Sequence, residues 1–98
     1  MSGDRIFKFP LEVTDVQDVS MSSDAVILSA IEQYGAIVVY ARVNPNAVAS
    51  RRRFFVVGTG HPLDRIDPTA VFVGTVKTEG GALIWHVFVG GEVAQSAL

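Results

Sequence analysis

Short runs of apolar residues, some interleaved with polar ones, alternate with clusters of turn residues along this chain, and the pattern predicts strands. Arg5-Ile6-Phe7-Lys8-Phe9 alternates and stops at Pro10, whose missing N–H suits an edge or a strand end. Val16 to Met21 interleaves polar and apolar side chains as a second short strand. Ser22-Ser23-Asp24 then forms a turn, because these short side chains bond nearby backbone. Residues 25–32 and 36–43 read as strands that face each other across Gln33-Tyr34-Gly35, where Gly35 can take positive φ. Together they predict an antiparallel hairpin. A helix over residues 24–33, N-capped by Asp24, is the competing expectation. Asn44-Pro45 opens a turn that a short helical turn could follow. A strand resumes over residues 51–57 and ends at Gly58-Thr59-Gly60-His61-Pro62, with a loop running on to about Thr69. Residues 70–77 and 82–89 make a last hairpin around Thr78-Glu79-Gly80-Gly81. Gly90-Gly91 then releases the chain, and residues 91–98 are expected to be a flexible tail.

No long stretch carries a 3.6-residue period. The expected fold is therefore mainly β, one domain over residues 1–98: an antiparallel meander of six to seven strands, closed as a small barrel or folded as a sandwich, with at most a short helical turn. Composition strengthens this reading. Val and Ile together number 22 against 5 Leu, and β-branched side chains fit a pleated surface better than a helix. At 98 residues and 10.5 kDa the chain has room for one core. With 49% hydrophobic residues and a mean hydropathy of +0.36 it is not a disordered segment.

Charge and special residues narrow the function classes. There is no Cys, hence no disulfide framework, thiolate metal site or cysteine nucleophile. A net charge of −2 disfavours nucleic acid as a partner, since phosphate binding needs a broad basic surface. Met1-Ser2-Gly3-Asp4-Arg5 lacks the basic-then-apolar pattern of a secretory signal. The longest apolar stretch, residues 25–41, is interrupted by Glu32, Gln33 and Gly35 and is too polar to span a bilayer. A cytosolic protein with no membrane partner is expected.

The strands are apolar on both faces. In the last one Leu83, Trp85, Val87 and Val89 share one side, and Ala82, Ile84 and Phe88 share the other with His86. A domain with one core has little use for two apolar faces. A second copy of the chain is the expected cover, making a homo-oligomer; covering by loops and the N-terminal segment is the alternative.

Three features could carry chemistry. In Gly58-Thr59-Gly60-His61-Pro62 the two glycines could let backbone N–H groups converge on an anion, with Thr59 and His61 adding side-chain donors. The same sequence also reads as a tight strand exit. Arg51-Arg52-Arg53 leads into Phe54-Phe55; on a strand Arg51 and Arg53 share a face and could, with Arg42, recognise phosphate or an acidic partner. The ligand-binding candidates are thus Arg51, Arg53, Gly58, Thr59, Gly60 and His61. His61, Asp64 and Asp67 are spaced by three and are metal-capable, but the pattern is cheap to obtain in a loop, and no metal or cofactor is expected. No Ser sits in a nucleophile-elbow context, and Asp64 with Asp67 lacks the split environment that acid–base work needs, so no catalytic set is expected.

Several segments resemble a family of short proteins of tailed bacteriophages and prophages. They are Phe9-Pro10-Leu11-Glu12-Val13-Thr14-Asp15-Val16-Gln17, Ala41-Arg42-Val43-Asn44-Pro45, Arg52-Arg53-Phe54, Gly58-Thr59-Gly60-His61-Pro62-Leu63-Asp64, Gly74-Thr75, and Gly80-Gly81-Ala82-Leu83-Ile84-Trp85-His86-Val87-Phe88. The Gly-Thr-Gly-His-Pro and Trp-His-Val-Phe segments are the most specific. This chain has Val39-Tyr40 where such proteins often carry Leu-Trp, Met21-Ser22 where they carry Met-Pro, and an extra tail over residues 92–98. The resemblance brings no established activity. It implies a phage origin and a place in the cytoplasm of an infected bacterial host or in the virion. The functional expectation is a non-enzymatic phage accessory protein that binds a host protein or a small anionic ligand, such as a nucleotide signal of host defence. A minor structural or assembly component of the virion is the alternative.

Overall fold

The computed structural model describes residues 3–93. In chain order the strands are β1 (Arg5–Leu11), β2 (Val16–Ser22), β3 (Val26–Gln33), β4 (Ala36–Val43), β5 (Ala49–Gly58), β6 (Val71–Thr78) and β7 (Leu83–Val93), with one 3-10 turn at Glu79–Gly81. They form two sheets, β1-β4-β3 and β2-β5-β7-β6, and every paired neighbour is antiparallel. The mainly β expectation is met, and two separate sheets make it a sandwich. No α-helix occurs among the described residues, so the helix considered over residues 24–33 gives way to β3.

The simple meander is corrected. The chain changes sheet between β1 and β2, between β2 and β3, and between β4 and β5, so only β3–β4 and β6–β7 are hairpins of consecutive strands. Such crossing lets each sheet cover the other's apolar face. In the β3–β4 turn both central residues have positive φ, Tyr34 at 52° and Gly35 at 83°, which matches the twist of the flanking strands. Pro10 does not end β1, because β1 is an edge strand whose outer N–H groups meet no neighbour. The helical turn after Asn44 is also absent. Asn44 instead closes a turn, its carbonyl accepting from Ala47 N–H at 2.9 Å and its side-chain oxygen from Asn46 N–H at 3.0 Å.

The predicted tail begins too early. Gly90-Gly91 lies inside β7, where the β5–β7 register slips between Arg52 and Phe54. The glycine pair supplies a bulge, not an exit, since an unpaired extra residue is easiest to place without a side chain. Arg51 and Arg52 pair with Val93 and Glu92 beyond it, and Ser50 is hydrogen-bonded to the Glu92 carboxylate. The rest of the predicted tail, residues 94–98, lies outside the described residues.

Phe54, Val56, Val76, Val87 and Val89 of the larger sheet face Ala30, Ile37, Val39, Ala41 and Val43 of the smaller one, and these form the core with Leu11 and Met21. The two flanks of the sandwich differ. On one, β6 lies close against β3: a Cβ on Gly74 would sit 3.4 Å from the Ala30 carbonyl oxygen. On the other, β1 and β2 do not pair, and a groove of about 260 Å³ lined by Phe7, Phe9, Met21 and Val43 lies between them.

The outer faces differ as well. Phe55 points away from the core yet is buried, because the loop after β5 brings Ile66 and Pro68 over it. On the smaller sheet Ile6, Val26, Leu28 and Ile31 remain exposed. Among the described residues no helix is long and apolar enough to cross a membrane.

Candidate functional site

The turn that ends β5 organises a concave part of the surface. Thr59 N–H donates to the Ile84 carbonyl at 3.3 Å and prolongs the β5–β7 ladder. His61 N–H donates to the Gly58 carbonyl at 3.1 Å and closes the turn. Gly60 occupies φ +88°, which a side chain would disfavour. Two N–H groups that an anion nest would aim at a ligand are therefore already bonded to carbonyls. The local reading as a strand exit describes this geometry.

Three adjoining concavities share Gly58 and His61. One of about 320 Å³ reaches Asp15, Ile66 and Trp85. One of about 210 Å³ lies over Leu83 and Trp85. One of about 280 Å³ is walled by Leu63, Phe72 and Phe88 and floored by His86. Gly58 makes the junction possible: a Cβ there would stand 3.4 Å from the Trp85 ring and 3.6 Å from the His61 ring. Trp85 is held in turn by its indole N–H, which donates to the buried Thr78 hydroxyl at 2.9 Å.

His86 is bridged between two hydroxyls. Its Nε2 lies 2.8 Å from Thr59 Oγ1 and its Nδ1 3.1 Å from Thr75 Oγ1. Thr75 is its cross-strand neighbour in the β6–β7 register, and Thr59 comes from the turn after β5. Both partners of the ring are neutral hydroxyls. A base whose imidazolium is stabilised by an adjacent carboxylate is a different arrangement. What this one offers is hydrogen-bond donors and acceptors beside apolar walls.

The six candidate residues fall in two places. Gly58, Thr59, Gly60 and His61 line the concavities. Arg51 and Arg53 lie on the outward side of β5, and Arg53 is five positions from Gly58, roughly 16 Å along a strand. Arg53 is engaged with Asp18 through Nε at 2.8 Å and Nη2 at 3.1 Å, and this paired donation holds the Asp18 carboxyl below its ordinary range. Arg51 Nε is buried and finds no hydrogen-bond partner among the described residues. Arg42 does not join them, since it lies on β4 of the other sheet and pairs with Asp4 at 3.0 Å. One phosphate cannot touch both the arginines and the turn.

His61, Asp64 and Asp67 do not converge, and no group of three metal-capable side chains gathers among the described residues. Asp67 turns back on its own loop. Its carboxylate accepts from Thr69 N–H and from the Thr69 hydroxyl, each at 2.8 Å, and these bonds lower its pKa. Sequence reasoning missed Thr75, Phe72 and Phe88 as parts of the site and placed His86 only on an apolar strand face. The hairpin itself was a signal for Thr75, which falls opposite His86 in the register that leaves the turn; Phe72 comes opposite Phe88 only through a register shift between Phe72 and Gly74, which the turn does not announce. The two phenyl rings meet edge to face at 5.5 Å.

No curated protein and no solved structure matches this chain. A family model does match it, over residues 2–97 and so over nearly its whole length. The chain belongs to that family, described as a domain of unknown function, DUF7352.

Proposed function

We propose that this protein is a non-enzymatic accessory protein of a tailed phage or prophage. It works in the cytoplasm of the infected bacterium by docking a host protein on the concave end of the larger sheet. The phage origin rests on the resemblance of the segments quoted above. The docking reading rests on one observation: Leu63 and Phe72 are 59% and 54% exposed beside the His86 pocket. Exposed apolar and aromatic side chains around a pocket are what protein partners use as anchors. Between a host protein and a small anion, the geometry supports the protein. The Thr59 and His61 N–H groups are bonded to carbonyls and Arg53 is paired with Asp18, so the donors that an anion would need at the turn and on β5 are in part already engaged.

A photo-crosslinking residue at position 63 or 72, in protein expressed during infection, should trap the same host protein from both positions and not from position 32. No adduct at either position overturns the docking reading. Calorimetry with cyclic and ADP-ribose-type nucleotides should show nothing tighter than high micromolar; tighter binding restores the small-anion reading. Recovery of the protein from purified particles would favour a virion component instead.

The outer face of the smaller sheet supports a second proposal, self-association. Ile6, Val26, Leu28 and Ile31 are exposed there, and nothing among the described residues covers them. A second copy meeting this face through a two-fold axis would bury the same patch twice. Light scattering should give twice 10.5 kDa, and Ile31→Asp should return 10.5 kDa. A wild-type monomer refutes the proposal.

A further inference from the structure

We infer that Tyr34, at the tip of the β3–β4 hairpin, anchors a second copy of this chain, each copy's ring lying over the Arg42 end of the other's smaller sheet. The inference rests on the self-association proposal and names the residue that holds the copies together.

Tyr34 is disfavoured where it stands. Gln33 pairs with Ala36, so Tyr34 and Gly35 are the two central residues of the turn, at φ 52° and 83°. Such a turn favours Asn or Asp before Gly, because those short side chains tolerate a left-handed backbone. A bulky aromatic residue there is strained. Within the fold nothing offsets the strain: the residue is 95% exposed, so its ring meets almost none of the chain. Strain kept without an internal return points to a contact outside the molecule. The tip is nonetheless firmly built. The Glu32 carboxylate accepts from Gly35 N–H at 2.6 Å, and the Gln33 side-chain oxygen accepts from the Tyr40 hydroxyl at 3.0 Å. A tyrosine presented on a fixed turn suits an interface, since its ring offers a large area with few torsions to freeze.

The outer face of the smaller sheet needs such a contribution. Ile6, Val26, Leu28 and Ile31 are about half exposed. Four aliphatic side chains of that exposure fall short of the ~800 Å² per partner that a stable interface buries. One aromatic side chain adds about 150–250 Å². Tyr34 is three positions beyond Ile31 on the same hairpin and so borders this face.

Charge fixes how the copies face each other. Ile6, Arg42 and Val26 form one row across the three strands, at the end of the sheet away from the tip. A two-fold axis perpendicular to the strands lays the tip of each copy over that row of the other; an axis along the strands lays tip on tip. The first brings the Glu32 carboxylate and the Tyr34 ring toward Arg42, whose side chain is 62% exposed although it pairs with Asp4 at 3.0 Å. A guanidinium is drawn to a carboxylate and to an aromatic face alike. The second sets Glu32 against Glu32.

The test follows the full chain by sedimentation equilibrium. Tyr34→Asn should raise the dimer dissociation constant at least tenfold, and Tyr34→Phe, which keeps the ring, should leave it within about threefold. Arg42→Ala should also loosen the dimer. At dilutions where the chain is monomeric, Tyr34→Asn should unfold at a urea midpoint equal to or above that of wild type, because Asn suits the turn. A ring that supports the fold gives the opposite, a lower midpoint. A dimer untouched by Tyr34→Asn, a lowered midpoint in the monomer, or Tyr34→Phe as weak as Tyr34→Asn would each overturn the anchor. A dimer untouched by Arg42→Ala would overturn the orientation. Ile31→Asp separates the inference from the reading it rests on. Loss of the dimer in Ile31→Asp but not in Tyr34→Asn sinks the anchor alone, and loss in Tyr34→Asn but not in Ile31→Asp sinks the face and keeps the anchor. A chain that is monomeric at every concentration refutes both.

Discussion

Arg52 ties the two sheets together, and its removal can be predicted quantitatively. Its Nε and Nη2 donate to the Gly90 carbonyl at 3.2 Å each, and its Nη1 donates to the Ala25 carbonyl at 3.1 Å. Gly90 belongs to β7 of the larger sheet, and Ala25 immediately precedes β3 of the smaller one. Both acceptor residues are buried. A hydrogen bond from a charged donor contributes about 1.5–3 kcal/mol, and an abandoned buried acceptor costs about 1–3 kcal/mol. Two of the three bonds share one carbonyl, so two acceptors count, and the half-buried side chain places each near the lower end. Arg52→Met keeps the apolar stem and should lose about 3 kcal/mol on this reasoning. Arg52→Lys keeps the charge but cannot fork between two carbonyls, and should lose roughly half as much. Against a typical total of about 5–15 kcal/mol this is a large fraction. Urea unfolding followed by Trp85, the single tryptophan, reads it as a drop in midpoint of about 1.5–3 M for the Met variant. A Met variant within about 0.5 kcal/mol of wild type would refute the clamp, as only an unattached surface side chain is that tolerant. A Lys variant equal to wild type would show that charge matters and the forked geometry does not.

Phe54 is fully buried at the centre of the core, so Phe54→Ala should destabilise by about 3–5 kcal/mol in the same unfolding assay. Gly74→Val pushes a branched side chain against the Ala30 backbone and should cost about 1–3 kcal/mol, read by thermal melting; unchanged melting would mean that β3 and β6 have room between them. Asp18 titrates below its ordinary value of 3.8 because Arg53 donates to it, so its contribution is complete above that value and is lost as pH falls through the folded pKa. The urea midpoints of wild type and Asp18→Asn should therefore differ at pH 6 and converge toward pH 3. An equal gap at both would show that the pair does not couple to folding.

The strands and turns were legible because alternation and turn chemistry are local. Residues 36–43, 51–57 and 82–89 are runs rich in β-branched and aromatic side chains between punctuating Asn, Gly and Pro, and each became a strand. Residues 24–33 were ambiguous because a short apolar run has no decisive period; pairing with β4 decided it. The three arginines show where local reasoning stops. A period of two correctly separates Arg52 from Arg51 and Arg53. What each guanidinium meets depends on strands far along the chain: Asp18 for Arg53, and Gly90 with Ala25 for Arg52. Gly90-Gly91 failed for the same reason, since a bulge and a chain exit look alike until the partner strand is known. In the site, the turn residues were legible. The bridge from His86 to Thr59 was not, because it joins a turn to a strand 27 positions away.

The unlike flanks of the sandwich give its loosening a direction. With β3 and β6 pressed together and β1 and β2 unjoined, the two layers part more readily along the second line, as a book opens away from its spine. The spine side keeps β6 with the pocket wall it carries, so Phe72 stays in place while the fore-edge breathes. The margins bared by such breathing carry Lys8, Pro10 and Asp18, which discourage a stray strand from adding on and seeding a fibril.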